Sequence, residues 1–444
     1  MAQKNDSFQL KIKNTGLLYF SVCVLLTIFI VISTAPTCVG ETATTEVDKS
    51  VGYWLAGFSA FSISPSDEHF EEGLYMGGYG IGKERGAAEG VLDDIRARSM
   101  ALSDGNSTVI FIVLDITGVS CVDLMTISEK VSHKTGINPD NVIITATHTH
   151  SGPDLQGLWG GVPDSYREWL WMQAAKSAET AYTDMEKARL FTGSVDFLEG
   201  IVNRRGDDNL SADFQLIHAR SLKDKPLGTF TVYGVHTTFI GEENKKISAD
   251  FSGHFVERLE EKFGGTALFA AGIQGDQVPV KGDLTVEDYA DNLTAVALEA
   301  FERKKEIPFS SLDYRNQKFV LGVRNPVFIL AYIFGYLSDY DVSFSFRNGL
   351  NINTELSVTS IGDKLSIVTV PGEILARPAE ELKGFIPADN TIVMGLSNGS
   401  LGYIVHDDQW NGGIPFLNRG YEESVSMGKH VWKVIKENLQ SIVP

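Results

Sequence analysis

The segment Val142–Pro153, VIITATHTHSGP, carries the pattern from which the fold is read. Its first five residues are apolar or β-branched, and polar residues follow at once, which is typical of a buried strand. His148 and His150 come directly after this strand, and the turn-forming run Ser-Gly-Pro closes the segment. In an extended backbone the two imidazole rings would lie on the same face of the chain. The segment therefore predicts a strand that ends in a pair of neighbouring histidines.

On both sides of this segment, short β-rich runs alternate with stretches of helical spacing. The alternation predicts an α/β fold whose mixed β-sheet core is flanked by helices. No repeat or linker is evident after Tyr53, so we predict one catalytic domain over residues 53–444. The predicted strands are Val109–Asp115, Val142–Ala146, Leu216–Ser221, Leu227–Val235, Thr266–Ala270, Leu356–Ile361, Leu365–Val370 and Thr391–Leu396. The predicted helices are Val122–Thr135, Tyr166–Met185, Gly253–Lys262, Glu287–Lys305 and a short one around Pro378.

The N-terminus predicts a membrane anchor. Lys4, Lys11 and Lys13 precede the apolar run Leu17–Ala35, which as a helix would rise about 28 Å, close to the thickness of a bilayer core. Because the basic residues come first, the positive-inside rule places residues 1–16 in the cytoplasm. We predict a transmembrane helix at residues 17–35, with a cleaved signal as the alternative, and a stalk at residues 36–52. The catalytic domain would then be extracytoplasmic and membrane-anchored, or secreted after cleavage.

Composition limits the partners and the metal chemistry. The formal net charge of −19 argues against nucleic acid, which calls for a basic face, and against broad docking on an anionic leaflet. A lipid-like substrate remains compatible, since apolar grooves bind acyl chains without charge. Cysteine occurs only at Cys23, Cys38 and Cys121, so no disulfide framework is expected. Histidine and carboxylate would therefore hold any metal. The sequence leaves the oligomeric state open.

Three further chemically active residues also follow predicted strands and lie beside Gly or Pro: His236, Asp276 and Glu373. Active sites of open α/β sheets collect at strand ends. A histidine pair such as His148 and His150 is a common arrangement of zinc ligands, because neutral imidazole suits zinc. Taken alone, each of His236, Asp276 and Glu373 fits an ordinary surface turn better than an active site. Their joint placement favours one metal-dependent active site.

Several motifs occur in an order that is similar to the catalytic domain of the neutral ceramidase family, from about Ala56 to Gly428. They are Met76–Tyr79 with Asp94–Arg98, Thr147–Pro153, Asn203–Arg204, His236, Pro371–Glu373, Gly395–Asn398, Tyr403 and Arg419–Glu422. In the family, Asp94–Arg98 would correspond to an arginine-bearing helix.

The resemblance implies a zinc-dependent amidohydrolase that cleaves the amide of an N-acyl, ceramide-like lipid with zinc-activated water. Its zinc ligands would be His148, His236, Glu373 and Tyr403. The catalytic groups implied are His150, Arg204, Asp276 and Tyr403. In this assignment His150 would shuttle a proton or serve as a hydrogen-bond partner of a ligand, and the phenol of Tyr403 would stabilise the oxyanion.

The chain departs from the family at Val278. The family has Gly-Asp-x-Ser-Pro-Asn where this chain has Gly275-Asp-Gln-Val-Pro-Val280, and valine is neither a nucleophile nor a hydrogen-bond donor. We also expect no counterpart of the family's C-terminal sandwich domain after Gly428. These departures keep two alternatives open. One is a zinc hydrolase of a non-ceramide amide or ester, and the other is a non-catalytic binding protein with a decayed site.

The run Val327–Leu337, VFILAYIFGYL, matches the family poorly and is almost wholly apolar. It is too short to span a bilayer. One interpretation is a buried core element, as short apolar runs usually are. The other is a lipid-facing lid or membrane-dipping loop.

Overall fold

The computed structural model describes residues 52–80, 82–206, 208–411 and 420–443. Residues Val47–Pro444 form one compact unit. The predicted cytoplasmic tail, the anchor at residues 17–35 and the stalk up to residue 51 lie outside the described residues. Within the described ranges, no helix combines the length and apolarity that a membrane crossing requires.

The chain alternates strands and helices in the following order. The strands are β1 Trp54–Ser62, β2 Arg96–Ser103, β3 Thr108–Leu114, β4 Val142–Ala146, β5 Glu186–Asp196, β6 Ile201–Asn203, β7 Asp213–Ser221, β8 Pro226–Tyr233, β9 Thr266–Ala271, β10 Gln277–Pro279, β11 Lys305–Ile307, β12 Leu312–Gly322, β13 Val342–Ser345, β14 Gly349–Ile361, β15 Leu365–Thr369, β16 Glu373–Ile374, β17 Asn390–Met394 and β18 Tyr403–Ile404. The helices are α1 Asp67–Glu71, α2 Cys121–Thr135, α3 Asp164–Thr183, α4 Phe251–Phe263, α5 Val286–Glu302, α6 Pro326–Ile333, α7 Ala376–Lys383, α8 Tyr421–Ser424 and α9 Val431–Ile442.

Two mixed sheets form the centre of the unit. The first has the order β4-β3-β2-β1-β5-β7-β8-β9, with β11 beside β5. The second has the order β12-β14-β15-β17, with β13 beside β14. The pairs β3–β4, β8–β9 and β15–β17 are parallel, and the pairs β1–β2 and β7–β8 are antiparallel. The predicted mixed sheet is therefore confirmed.

The first sheet curls so that its two halves face one another. The rings of Phe111 on β3 and Phe230 on β8 are 5.7 Å apart, centre to centre. Ile367 and Ile392 of the second sheet enter the same apolar core. Helices α2 and α3 cover one half of the first sheet, and α4 and α5 cover the other. Helices α7 and α9 cover the second sheet, so helices flank the β core as predicted.

The predicted arginine-bearing helix at Asp94–Arg98 is wrong, because Arg96 begins strand β2. Every residue from Ala97 to Ser103 is buried. A segment that is buried on both faces has no polar side for a surface helix, and a central strand satisfies its backbone groups instead.

The interpretation of Val327–Leu337 as a buried core element is also wrong. Helix α6 contains no buried residue, and within the run only Leu337 is buried, at 2% exposure. The run belongs to the connection between β12 and β13, outside both sheets. Its apolar composition therefore does not report burial, and the lipid-facing interpretation stays open.

Asn398 joins the two sheets. Its backbone N–H donates to the carbonyl of Ile144 on β4 over 2.8 Å, and its side-chain oxygen accepts from the Ile144 N–H over 2.8 Å. Its side-chain N–H donates to Glu355 on β14 over 2.8 Å. Asn398 is 6% exposed and has a left-handed φ of 56°, which asparagine tolerates better than most residues. Asn398 thus links the edge strand β4 of the first sheet to strand β14 of the second sheet.

The variant Asn398→Ala is expected to lower the free energy of unfolding by about 1–3 kcal/mol, because it leaves the buried Ile144 N–H without a partner. Chemical denaturation followed by circular dichroism measures this loss. Asn353→Ala is the matched control, since Asn353 is exposed and donates only to Asp341, over 2.9 Å. The control should stay within about 0.5 kcal/mol of the parent protein. Equal losses in the two variants would contradict the joining role.

Candidate metal centre

The four residues predicted as zinc ligands meet at the ends of strands. His148 follows β4 and His236 follows β8. Glu373 and Tyr403 begin β16 and β18, and they are direct partners in that short parallel ladder. All four side chains are buried, with exposures of 3%, 1%, 8% and 4% respectively. Buried polar groups need partners, so the distances among them decide what the cluster can do.

The atoms predicted to bind the metal converge on Glu373. Its Oε2 lies 3.2 Å from His148 Nε2 and 3.0 Å from His236 Nε2. The Tyr403 hydroxyl lies 3.4 Å from His236 Nε2, and His150 Nε2 lies 3.2 Å from His148 Nε2. The structure therefore brings the predicted ligands and His150 into one cluster.

Two main-chain carbonyls favour one tautomer of the imidazoles of His148 and His236. His148 Nδ1 lies 2.7 Å from the Thr117 carbonyl oxygen, and His236 Nδ1 lies 3.0 Å from that of Gln277. A carbonyl only accepts hydrogen bonds, so each Nδ1 carries a hydrogen, and in the neutral ring Nε2 is left with a lone pair. Burial, with the nearby charge of Arg204, lowers the pKa of His236 to about 4 and keeps that ring neutral at pH 7.

This arrangement fits a metal ion. With both rings neutral, two Nε2 lone pairs face the Glu373 carboxylate, whose Oε2 lies 3.2 Å from His148 Nε2 and 3.0 Å from His236 Nε2. Such a set of acceptors repels itself unless a cation lies among them. The ligating nitrogens of His148, His150 and His236 lie within 4.8 Å of one another, so the cluster could hold a metal. Imidazole and carboxylate ligands without thiolate are compatible with zinc.

The backbone at the first ligand differs from the predicted extended form. His148 has a φ of 63°, in the left-handed region that non-glycine residues seldom adopt. The rings of His148 and His150 still lie close, with centres 4.7 Å apart and planes at 90°. The pair is therefore brought together by a kinked backbone, and such strain is common at functional sites.

A hydrogen bond to its main-chain carbonyl and close packing around its ring hold His150 in place. The Arg85 Nη1 donates to the His150 carbonyl over 2.5 Å, and the Tyr79 ring meets the imidazole edge to face at 4.8 Å. A Cβ at Gly78 would lie 2.3 Å from His150 Cγ. Burial lowers the pKa of His150 well below its usual value, and the ring is neutral at pH 7.

Arg204 and Tyr403 form a second pair at the cluster. The Arg204 guanidinium carbon lies 5.0 Å from the Tyr403 ring centre. Its Nε donates to Glu422 Oε1 over 2.8 Å and its Nη2 to the Gly275 carbonyl over 3.0 Å. Burial opposes the Arg204 charge, but Tyr403 and Glu422 outweigh it and raise the Arg204 pKa. Burial and the Glu373 charge raise the Tyr403 pKa well above its usual value, so its phenol keeps its proton.

Asp276 lies behind the cluster rather than in it. Its Oδ1 accepts from the Ala376 N–H over 3.0 Å, and its Oδ2 accepts from Asn203 Nδ2 over 3.2 Å. Its carbonyl oxygen accepts from the Arg204 N–H over 2.9 Å. These contacts position the turn that carries Arg204. A catalytic role for Asp276 stays a prediction.

Val278, at the family's serine position, does not line the cavity. It lies in β10 opposite Val202 of β6, and its neighbour Gln277 supplies the carbonyl that holds His236. The change from serine therefore alters the strand beside the cluster rather than the wall that faces it.

A narrow cavity of about 60 Å³ opens above the cluster. Besides the cluster itself, its walls are largely aromatic and apolar. They include Leu158, Trp159, Phe328, Tyr340 and Tyr421. A larger cavity of about 540 Å³ lies beside it and shares the wall residues Tyr340 and Ser400.

Several contacts at the site were not predicted from the sequence. Thr117 and Gln277 contact the histidines through their main-chain carbonyls. Any residue type could supply such a carbonyl, so the sequence gives no sign of these contacts. Gly78 lies within the glycine-rich segment Met76–Tyr79, which the sequence does show. Its φ of 103° and its approach to His150 are known only from the structure. Tyr421, whose ring centre is 5.8 Å from that of Tyr403, precedes the predicted Glu422.

Comparison with known proteins finds relatives of this chain. Residues 71–278 match the family model described as neutral/alkaline non-lysosomal ceramidase, N-terminal. The resemblance to the neutral ceramidase family is confirmed. A neutral ceramidase of Oryza sativa subsp. japonica is 24% identical over 244 residues, which cover 48% of this chain and 30% of the rice protein. The chain thus aligns with less than a third of that relative.

The fold is also that of neutral ceramidases. The crystal structure of neutral ceramidase from Pseudomonas aeruginosa matches with a TM-score of 0.69 and 16% identity, over 88% of this chain and 74% of that one. A ceramidase complexed with C2 matches with a TM-score of 0.68 and 15% identity over the same shares. At these identities the likeness establishes the fold alone.

The variant Gly78→Ala is expected to destabilise the protein by about 1–3 kcal/mol more than Gly73→Ala, because the added Cβ would overlap the His150 ring. Gly73 is the matched control: its φ of 94° is close to the 103° of Gly78, but no atom of the described residues lies within 4 Å of a Cβ placed there. Both variants share the backbone cost, so the difference between their free energies of unfolding isolates the contact. No difference would show that the contact does not constrain His150.

Proposed function

We propose that the chain is a zinc-dependent amidohydrolase that cleaves the amide bond of an N-acyl, ceramide-like lipid. One observation carries the proposal. The Nδ1 hydrogens of His148 and His236 are directed to main-chain carbonyls, so that both Nε2 lone pairs face Glu373. The names of the relatives support the reaction class, since the rice and Pseudomonas proteins are neutral ceramidases.

The four predicted ligands would bind zinc, and zinc would activate the amide and a water molecule. His148, His236, Glu373 and Tyr403 would hold the ion. Zinc, when bound, would act as a Lewis acid on the amide carbonyl and lower the pKa of a water molecule toward about 7. The main-chain carbonyls behind the two imidazoles keep each ring in the tautomer that ligation needs.

His150 would move the proton. Because burial keeps its ring neutral, His150 Nε2 can accept a proton from the attacking water and pass it to the leaving amine. The water oxygen then forms the new bond to the carbonyl carbon, the carbon–nitrogen bond breaks, and the amine leaves protonated. The position of His150 Nε2, 3.2 Å from His148 Nε2, puts the base beside the metal ligands.

Tyr403 and Arg204 would stabilise the charge that develops on the carbonyl oxygen. The phenol of Tyr403 keeps its hydrogen and can donate it to the oxyanion. The charged guanidinium of Arg204 lies behind the phenol ring, 5.0 Å from its centre. Donors fixed in a buried site need no reorganisation as the charge appears.

Apolar walls support a lipid substrate. The cavity above the cluster is lined by Leu158, Trp159 and Phe328. The adjoining cavity of about 540 Å³ has the size of a small-molecule site. Its apolar lining includes Val119, Leu124, Phe319, Ile352 and Leu401. We further propose that residues 17–35 anchor the chain so that this domain lies outside the cytoplasm, as the preceding lysines predict.

A second candidate is a zinc hydrolase of a smaller amide or ester. The volume of about 60 Å³ directly above the cluster favours it, because lipid-sized sites are several times larger. Val278 in place of the family's serine also favours a change of substrate. The two candidates share their metal and proton chemistry and differ only in the acyl group.

Hydrolysis of matched probes tests the proposal. The full-length chain is expected to cleave a long-chain N-acyl amide faster than the matched ester or a short soluble amide, and a chelator should abolish this activity until zinc is returned. Fastest cleavage of the short amide or ester would favour the second candidate. Failure to cleave any probe with zinc bound would overturn both.

His150→Ala is expected to keep its bound metal but to lose roughly 10²–10⁴-fold in hydrolysis rate, because it removes the proton shuttle alone. Metal content and rate are measured on the same samples. His133→Ala, at an exposed histidine on α2, is the matched control and should change neither. Loss of metal from His150→Ala would instead make His150 a ligand.

A further inference from the structure

Helix α6, strand β13 and the residues that directly follow each of them carry exposed apolar side chains. We call them together the α6–β13 surface and define it by eight side chains that are between 37% and 101% exposed. They are Val327, Ile329, Leu330, Ile333, Phe334, Tyr336, Phe344 and Phe346. Large apolar patches on a protein surface mark sites of contact with another protein or with a membrane.

This surface is not an ordinary amphipathic helix face. No residue of α6 is buried, and the residues from Asn325 to Ser338 include no charged side chain. The next acid, Asp339, is paired at 2.8 Å with Arg167, which also lies 3.5 Å from Asp123. Phe346 is 101% exposed and meets Phe344 edge to face at 5.6 Å. Exposed aromatic rings on a neutral segment are typical of protein surfaces at a lipid interface.

Cations border the surface at both ends. Arg324 precedes α6 and Arg347 follows β13, and both are exposed. Lys429 and Lys433 line a pocket together with Arg324 and the first residue of α6. Within the described ranges, Arg324, Arg347 and Lys429 form no ion pair.

The acids of that pocket only partly offset these cations. Glu423 is paired with Arg205 at 2.9 Å, which leaves Asp407 as the other acid. The exposed acid Asp341 directly precedes β13, so the border is basic at the two ends of the surface and not all around it. The border complements the phosphate groups of phospholipids, which lie above an apolar interior.

The same helix reaches the candidate metal centre. Phe328 of α6 lines the narrow cavity together with His148 and Glu373. Its neighbours Val327 and Ile329 are on the exposed surface. A partner that covers the α6–β13 surface would therefore lie beside the mouth of the cavity.

We propose that the α6–β13 surface docks on the face of a phospholipid bilayer and thereby sets the cavity mouth against the lipid. The proposal rests on the proposed function in one respect, since a lipid substrate gives the docking its use. A bilayer accounts for the neutral aromatic face and for its basic border together. A second copy of this acidic chain would account for the apolar part alone.

Vesicle sedimentation of residues 51–444 tests the docking directly. This fragment contains every described residue of the compact unit, together with the hydrophobic clusters that the described residues form. The probes are vesicles of phosphatidylcholine alone and of phosphatidylcholine with phosphatidylglycerol. Phe334→Ser/Phe346→Ser is expected to lower the partition coefficient on both at least tenfold, roughly the effect of removing two exposed phenyl rings from an apolar contact. Met172→Ser, at a residue 54% exposed on α3, is the matched control and should bind as the parent does.

A charge variant separates the two parts of the surface. Arg324→Gln/Lys429→Gln is expected to weaken binding to the phosphatidylglycerol vesicles more than to phosphatidylcholine alone, and added salt should remove the difference. Full-length chain with Phe334→Ser/Phe346→Ser, reconstituted in vesicles, should lose hydrolysis of a vesicle-borne long-chain amide but keep hydrolysis of a short soluble one.

The outcomes distinguish this proposal from the proposed function. Parent-like vesicle binding by Phe334→Ser/Phe346→Ser would overturn the docking surface whatever the enzyme does. A parent protein that sediments as a dimer and ignores vesicles, but becomes monomeric in that variant, would assign the surface to a second copy. Vesicle binding that depends on the surface in a protein without hydrolytic activity would sustain the docking and reject the proposed function.

Discussion

The hydrogen bonds from His148 and His236 to two main-chain carbonyls are the constraint on which the site depends. They place each hydrogen on Nδ1, at 2.7 Å and 3.0 Å from the acceptors, and direct each Nε2 lone pair toward Glu373. Burial makes this arrangement costly without a cation. Glu373 is only 8% exposed, so water cannot solvate its carboxylate in place of a bound partner. A bound cation is the simplest group that satisfies all three ligands at once.

The surrounding fold supplies these carbonyls and holds the groups that act with them. The ladder between β16 and β18 sets Glu373 beside Tyr403. Asp276 joins the N-terminus of α7 to the turn of Arg204, so it stabilises the guanidinium behind the phenol. The tight approach of Gly78 fixes the ring of His150. Each candidate functional side chain is thus positioned by contacts with neighbouring residues.

The sequence predicted the segments whose pattern is local. Val142–Ala146 matches β4 residue for residue, and α2 begins one residue before the predicted Val122. The mixed sheet and the clustering of His148, His236, Glu373 and Tyr403 also follow from strand-end placement and from the family resemblance. The kinked backbone at His148 and the carbonyls of Thr117 and Gln277 could not be predicted, because they depend on long-range contacts. The buried-core interpretation of Val327–Leu337 was wrong for a related reason. Apolar composition alone does not show whether a segment packs into the core or stays exposed on the surface.

Metal content tests the central claim most directly. Elemental analysis of the purified full-length chain, beside His148→Ala/His236→Ala and the surface control His133→Ala, reports whether the converging lone pairs bind an ion. The account predicts about one zinc per chain in the parent and in the control, and none in the double variant. No metal in any sample after dialysis against zinc would contradict the account and favour a binding protein with a decayed site.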